Sequence, residues 1–164
     1  MPFIYAPRLP AFNYTGCYRY SLTIRTFDRF KVFISDAAVH PVVVQLSQKA
    51  DAHRFSVIAY CVMPDHLHAL VAGEHAAADV REFVRIFKQQ TSFEWKRAHG
   101  TSLWQRGYFD HVLRDDEDTF VVARYIIENP VRAGLVASPL DYPYLRSLRV
   151  SVRDLCYSVQ IERT

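Results

Sequence analysis

His66 and His68 stand on either side of Leu67 in the run Met63-Pro64-Asp65-His66-Leu67-His68. In an extended strand, residues two apart project to the same face, so the two imidazoles lie side by side while Leu67 turns toward the core. Their roots are then about 6–7 Å apart, and both rings can converge on one divalent ion. Asp65, beside them, suits either a turn after Pro64 or a carboxylate that orients one imidazole. A second group lies in Tyr125-Ile126-Ile127-Glu128-Asn129-Pro130. One helical turn apart, Tyr125 and Asn129 share a face. The phenol can act as a nucleophile, and the amide oxygen can complete the shell of a hard metal ion. Read singly, each group also has an ordinary explanation: packed strand histidines, and a core-edge tyrosine with an asparagine ending a helix.

Such groups need elements to hold them. Residues 16–26 alternate Tyr18, Tyr20, Leu22 and Ile24 with Arg19, Ser21, Thr23 and Arg25, which predicts a half-buried strand with both tyrosines in the sheet core. Residues 36–53 suit a helix that presents Val43, Leu46 and Ala50 on one face. The β-branched and aromatic run 55–63 and the run 66–71 read as an antiparallel pair broken at Pro64-Asp65. Residues 79–99 form the clearest helix, with Phe83, Phe87, Thr91 and Trp95 at four-residue steps and Arg81, Arg85, Lys88 and Lys96 on another side. A short strand at 108–113 follows. Asp115 or Asp116 is expected to cap a last helix, which runs to about Asn129 and closes at Pro130. This order predicts an α+β, ferredoxin-like sandwich: an antiparallel sheet with helices mainly on one face. Residues 1–15, with Pro2, Pro7 and Pro10, read as an arm, 16–148 as one domain, and 149–164 as a tail.

A chain of 164 residues buries enough surface to fold without disulfides or metal. Its 50% hydrophobic and 14% aromatic content excludes intrinsic disorder. No apolar run approaches the roughly 20 residues of a membrane helix, and the amino end lacks a signal-peptide pattern. Cys17, Cys61 and Cys156 are odd in number and far apart, which points to a reducing cytoplasm. A net charge of +3 is weak, but sixteen arginines stand against four lysines. Arginine's planar fork pairs with phosphate and stacks on bases, so the excess hints at a phosphate-rich partner.

Together the two groups are more specific than either alone. MPDHLHALV, a basic amphipathic helix, and then LWQRGYFDHVLRDDEDTFVVARYIIENPVRAGLV resemble the REP-associated tyrosine transposases, a branch of the single-tyrosine HUH (His–hydrophobic–His) transposases. The resemblance covers residues 16–148. It implies that His66 and His68 hold a divalent cation, Mg²⁺ or Mn²⁺, that Tyr125 is the nucleophile, and that Asn129 is a third ligand. It further implies cleavage and rejoining of single-stranded DNA beside hairpins, through a 5′-phosphotyrosine link and a free 3′-hydroxyl. The DNA contacts expected are Arg81, Arg85, Lys88 and Lys96 on the helix stripe and Arg106, Arg114, Arg124 and Arg132 flanking the site in sequence. Asp65 and His111 are expected at most to support the site from behind. The protein would work in the cytoplasm, associated with the nucleoid when on DNA, away from membranes, as a monomer or as a homodimer that shares sites. Two alternatives stay open: a retired enzyme that only binds hairpin DNA, and a metal-dependent phosphodiesterase that uses water.

Overall fold

Apolar side chains at every second position force a segment into a strand with one face against a core. β1 (Arg19–Arg25) answers this pattern, with Tyr20, Leu22 and Ile24 fully buried. The structure is a computed structural model that describes residues 10–114, 119–147, 151, 153 and 154. The predicted caps at Asp115 and Asp116, residues 1–9 of the arm and nearly all of the tail lie outside the described residues.

After β1 a 3-10 turn at Phe27–Arg29 leads to α1 (Asp36–Ala52), which buries Val39, Val42, Leu46 and Ala50 at helical spacing. Two hydrogen-bonded strands follow, β2 (Phe55–Met63) and β3 (His66–Gly73), with Met63 opposite His66 across the Pro64-Asp65 turn. α2 (Val80–His99) is capped by Asp79, whose carboxylate accepts the backbone N–H groups of Arg81 at 2.9 Å and Glu82 at 3.3 Å. Gly100 ends it in the left-handed region, at φ 74°. β4 (Phe109–Leu113), α3 (Thr119–Arg132) and the two-residue β5 (Leu145–Arg146) complete the order. The sheet runs β4-β1-β3-β2-β5, antiparallel throughout, which is the expected α+β arrangement with one added edge strand.

Central β3 has a core on each side because its alternate residues face opposite layers. Leu67, Ala69 and Val71 pack with α1 and α2 through Leu46, Phe83 and Phe87. Leu70 packs on the other face with Cys61 and Met63 of β2 and with Val122, Ala123, Ile126 and Ile127 of α3. Each of these larger side chains contributes about 1.5–3 kcal/mol by leaving water. Two helices therefore share one face, and α3, with Tyr142 from the segment after it, packs on the face toward which His66 and His68 project.

Two local expectations are corrected. Tyr18 is 41% exposed, because it precedes the first paired residue of β1 and rests at the sheet margin, edge-on to Phe12. Pro130 does not close α3, which runs on to Arg132. A proline costs a helix the N–H bond to the carbonyl four residues back, and here that loss falls within the last turns. The stop comes at Gly134, with φ 70°: Leu135 N–H bonds the Pro130 carbonyl at 2.9 Å and Gly134 N–H bonds that of Val131 at 3.0 Å. Among the described residues, no helix is long and apolar enough to cross a membrane.

Candidate active site

The turn at Pro64-Asp65 starts β3 at His66, so the period of the strand sends His66 and His68 to the α3 face and buries Leu67 on the other. The two Nε2 atoms converge to 3.0 Å. Each Nδ1 is held from behind: that of His66 lies 2.5 Å from Asp65 Oδ1, and that of His68 lies 2.9 Å from Thr23 Oγ1. Asp65 is itself gripped by Arg29, whose Nε donates to Oδ2 at 2.8 Å. Burial alone would raise the Asp65 pKa, but the bond to His66 and the Arg29 charge hold it below the ordinary carboxylate value.

These partners set the tautomers. An ionised carboxylate only accepts, so His66 donates from Nδ1 and turns its Nε2 lone pair toward His68. The Thr23 hydroxyl both donates and accepts. His68 can therefore donate from Nε2 to His66 while Thr23 donates to Nδ1, or donate from Nδ1 to Thr23 and free a second Nε2 lone pair. Burial lowers both imidazoles, His66 against the opposing pull of Asp65 and His68 to about 3, the latter helped by the charges of His66, Arg132, Arg25 and Arg29. Neutral imidazoles held by second partners are the form that binds a cation. The donor set thus fits a divalent ion at the paired Nε2 atoms. Among the described residues no third His, Cys, Asp or Glu joins them; amide, water or substrate oxygens suit a hard ion's remaining positions.

α3 brings Tyr125 to this pair. Burial of Val122, Ala123, Ile126 and Ile127 against the sheet fixes the rotation of the helix and leaves the half-buried Tyr125 ring 6.2 Å from that of His68, nearly perpendicular at 83°. Arg132, two turns on, lies over the phenol face with Cζ 3.9 Å from the ring centre. Its guanidinium also donates to the Tyr125 carbonyl at 3.0 Å, as does Asn129 Nδ2 at 2.9 Å. With its nitrogen so engaged, the Asn129 amide keeps Oδ1 as its acceptor.

The other candidate residues are spread out. His111 sits in β4 opposite Ser21, two positions along β1 from Thr23. The stripe on α2 lies on the sheet face opposite the histidines. There Arg81 pairs with Asp79 at 3.6 Å, Arg85 pairs with Glu82 at 2.7 Å, and Lys88 donates to the carbonyls of Gln105 and Gly107, while Lys96 is exposed. Arg106 is exposed in the loop that Lys88 ties down, and Arg114 is exposed after β4. Arg124 pairs with Glu128 at 3.1 Å. Of the eight, Arg132 contacts Tyr125, at both its ring and its carbonyl. Thr23, Arg25 and Arg29 were not singled out by sequence reasoning. Their one signal was a place on or just past the polar side of β1, shared with Arg19 and Ser21.

The family described as Transposase IS200 like matches residues 15–129, a span that contains the histidine pair, Tyr125 and Asn129. A Haemophilus influenzae protein (strain Rd) named for the REP-associated tyrosine transposases is 28% identical over 136 residues, covering 76% of this chain and 77% of that one. The REP-associated tyrosine transposase of Escherichia coli K12 is 29% identical over 91 residues, 55% of this chain and 53% of that one. Among solved structures, a REP-associated tyrosine transposase bound to a REP hairpin shares the fold, with a TM-score of 0.69 at 20% identity over 85% of this chain and 82% of the other. The family match spans well over half of the sequence, and the chain belongs to the IS200-like transposases.

Proposed function

We propose that this transposase cleaves and rejoins single-stranded DNA beside hairpins, using Tyr125 as nucleophile and a divalent cation, Mg²⁺ or Mn²⁺, held by His66 and His68 with Asn129 as a third ligand. The observation that carries the reading is the approach of the Tyr125 ring to within 6.2 Å of His68, on the face where both Nε2 atoms converge. A hairpin partner is supported by the DNA named with the solved structural relative.

In the forward step Tyr125 Oη bonds to phosphorus and loses its proton to solvent. The bond from phosphorus to the 3′-oxygen breaks, and that oxygen takes up a proton to become a free 3′-hydroxyl. The product is a 5′-phosphotyrosine, so no phosphodiester energy is lost and a 3′-hydroxyl can reverse the exchange. A divalent cation held by His66 and His68 would supply positive charge that offsets the phosphate's own repulsion of a nucleophile. Asp65 and Thr23 hold the imidazoles in place, and burial keeps them neutral. Arg132 holds the phenol from its face, and Arg25 and Arg29 add positive charge at the same end of the sheet.

Oligonucleotides tiled across the DNA flanking the gene, incubated with Mn²⁺ and run on a denaturing gel beside Tyr125→Phe, test this. A denaturant-resistant adduct from wild type alone is expected, with DNA binding retained by the variant. Cleavage by Tyr125→Phe would remove the nucleophile from Tyr125. Product without adduct would instead make the protein a water-using phosphodiesterase, and binding without cleavage a retired hairpin binder.

A further inference from the structure

The loop between β1 and α1 places aromatic rings in solvent at the edge of the site. Its sequence, Phe27-Asp28-Arg29-Phe30-Lys31, interleaves two phenylalanines with two cations and one carboxylate. Phe27 is 45% exposed and Phe30 62%, although each could be expected to bury. The backbone between them takes an uncommon course. Asp28 and Arg29 both adopt the left-handed region, at φ 49° and 58°, which non-glycine residues seldom enter.

The loop is nevertheless tightly tethered, and tethered to the histidine turn. Phe33 N–H bonds the Pro64 carbonyl at 3.0 Å, and Thr26 bonds the Asp65 carbonyl through both its N–H at 3.0 Å and its hydroxyl at 2.9 Å. Phe27 N–H bonds the Leu103 carbonyl at 2.9 Å. Arg29 reaches Asp65, the carboxylate that holds His66. Because Arg25 pairs with His66 in the β1–β3 register, the loop leaves the sheet at the very end where the imidazoles stand.

A rigid loop that presents flat apolar rings between positive charges, beside a cation site, has the chemistry of a platform for unpaired bases. Every base has a stacking face, and single-stranded DNA is gripped by aromatic rings together with cations that follow its phosphates. We infer that Phe27 and Phe30 stack unpaired bases next to the cleaved phosphate, with Arg29 and Lys31 facing the strand's backbone. This rests on the single-stranded DNA substrate proposed above. It adds a base-binding subsite to that proposal.

The test uses a sixteen-residue thymidine strand carrying one 5-iododeoxyuridine, which crosslinks under light to an aromatic ring stacked on it. Wild type is expected to bind it and to crosslink through Phe27 or Phe30, mapped by mass spectrometry. The double variant Phe27→Leu/Phe30→Leu keeps apolar bulk at exposed positions and should fold. It is expected to bind about tenfold or more weaker, with an unchanged dependence of affinity on salt, while Phe27→Tyr/Phe30→Tyr binds as wild type does. Equal affinity of the leucine variant, or crosslinks confined to other residues, would overturn the inference. So would a change in sedimenting mass in place of a change in DNA binding, which would make the loop an interface between copies of the chain. Failure of the covalent adduct assay with wild type strikes the transesterase reading and leaves this binding readout intact.

Discussion

Thr23 and Asp65 convert two strand histidines into a pair aimed at one point. Neither is needed for the pairing of β1 or β3, since strand ladders are made by backbone, so their side chains can be tested without unfolding the sheet. Asp65→Asn keeps the shape and loses the charge that fixes the His66 tautomer and receives Arg29. It is expected to weaken Mn²⁺ binding about 10–100-fold by calorimetry; unchanged affinity would mean that Asp65 serves only the turn. Arg132 makes a separate prediction. Replacing it with Gln removes both the charge over the Tyr125 ring and its planar fork. The rate of adduct formation should then fall at least about tenfold in single-turnover assays, with no loss of Mn²⁺ affinity, since a positive charge near His68 has been removed. A rate equal to wild type would make the stacking of Arg132 on Tyr125 incidental.

The elements that carry these residues depend on two glycines in quite different ways. Gly73 ends β3 where the chain at Gly16 crosses it, and a Cβ added there would meet the Gly16 carbonyl oxygen at 2.2 Å. Backbone cannot yield as a side chain tip can, so Gly73→Ala should cost about 1–3 kcal/mol or more. Gly134, which ends α3, has open space around it and only its φ of 70° to lose. Gly134→Ala should cost about 1 kcal/mol, or about 2–4 °C of Tm in a chain of this size. Thermal melts should therefore rank Gly73→Ala as the larger loss, and the reverse order would contradict the crossing of Gly16 over β3. The sequence already showed the helix periods of α2 and the strand alternation of β1. It held no sign of the Gly16–Gly73 approach, which joins positions 57 apart only when the sheet is assembled.

The molecule as a whole buries ionisable groups that must stay neutral. Burial pushes the Cys61 thiol from 9.0 up to about 12, and raises the Tyr20 and Tyr142 phenols well above their ordinary 10.0. An acid whose pKa is raised by folding adds stability that is complete below its unfolded pKa and declines as pH climbs toward the folded one. Urea midpoints are therefore expected to hold up to about pH 9, fall first as unfolded Cys61 ionises, and fall more steeply above pH 10. Cys61→Ala should delay the onset to about pH 10. An onset unmoved by that substitution would show that the thiol does not control the alkaline limit. Lowering the pH below 9 should leave this contribution untouched.

Local spacing settled much of this protein. A period of two puts His66 and His68 on one side of a strand, and a turn of helix puts Tyr125 and Asn129 on one side of α3, because both periodicities are properties of the backbone itself. The order of elements likewise pointed to an antiparallel α+β sheet. Spacing is silent about which face of the sheet a helix will cover. That depended on apolar complementarity across the chain, with Ile126 and Ile127 finding Cys61 and Met63, and it alone brought Tyr125 over His68. Pairing of β1 with β3 set Thr23 opposite His68 across 45 positions and brought Arg29 to Asp65 across 36, while the other core, on the far face, took α2 and its stripe. Contacts between residues so distant exist only after the layers have formed, since their energy comes from burial and paired charge, not from the conformation of either segment.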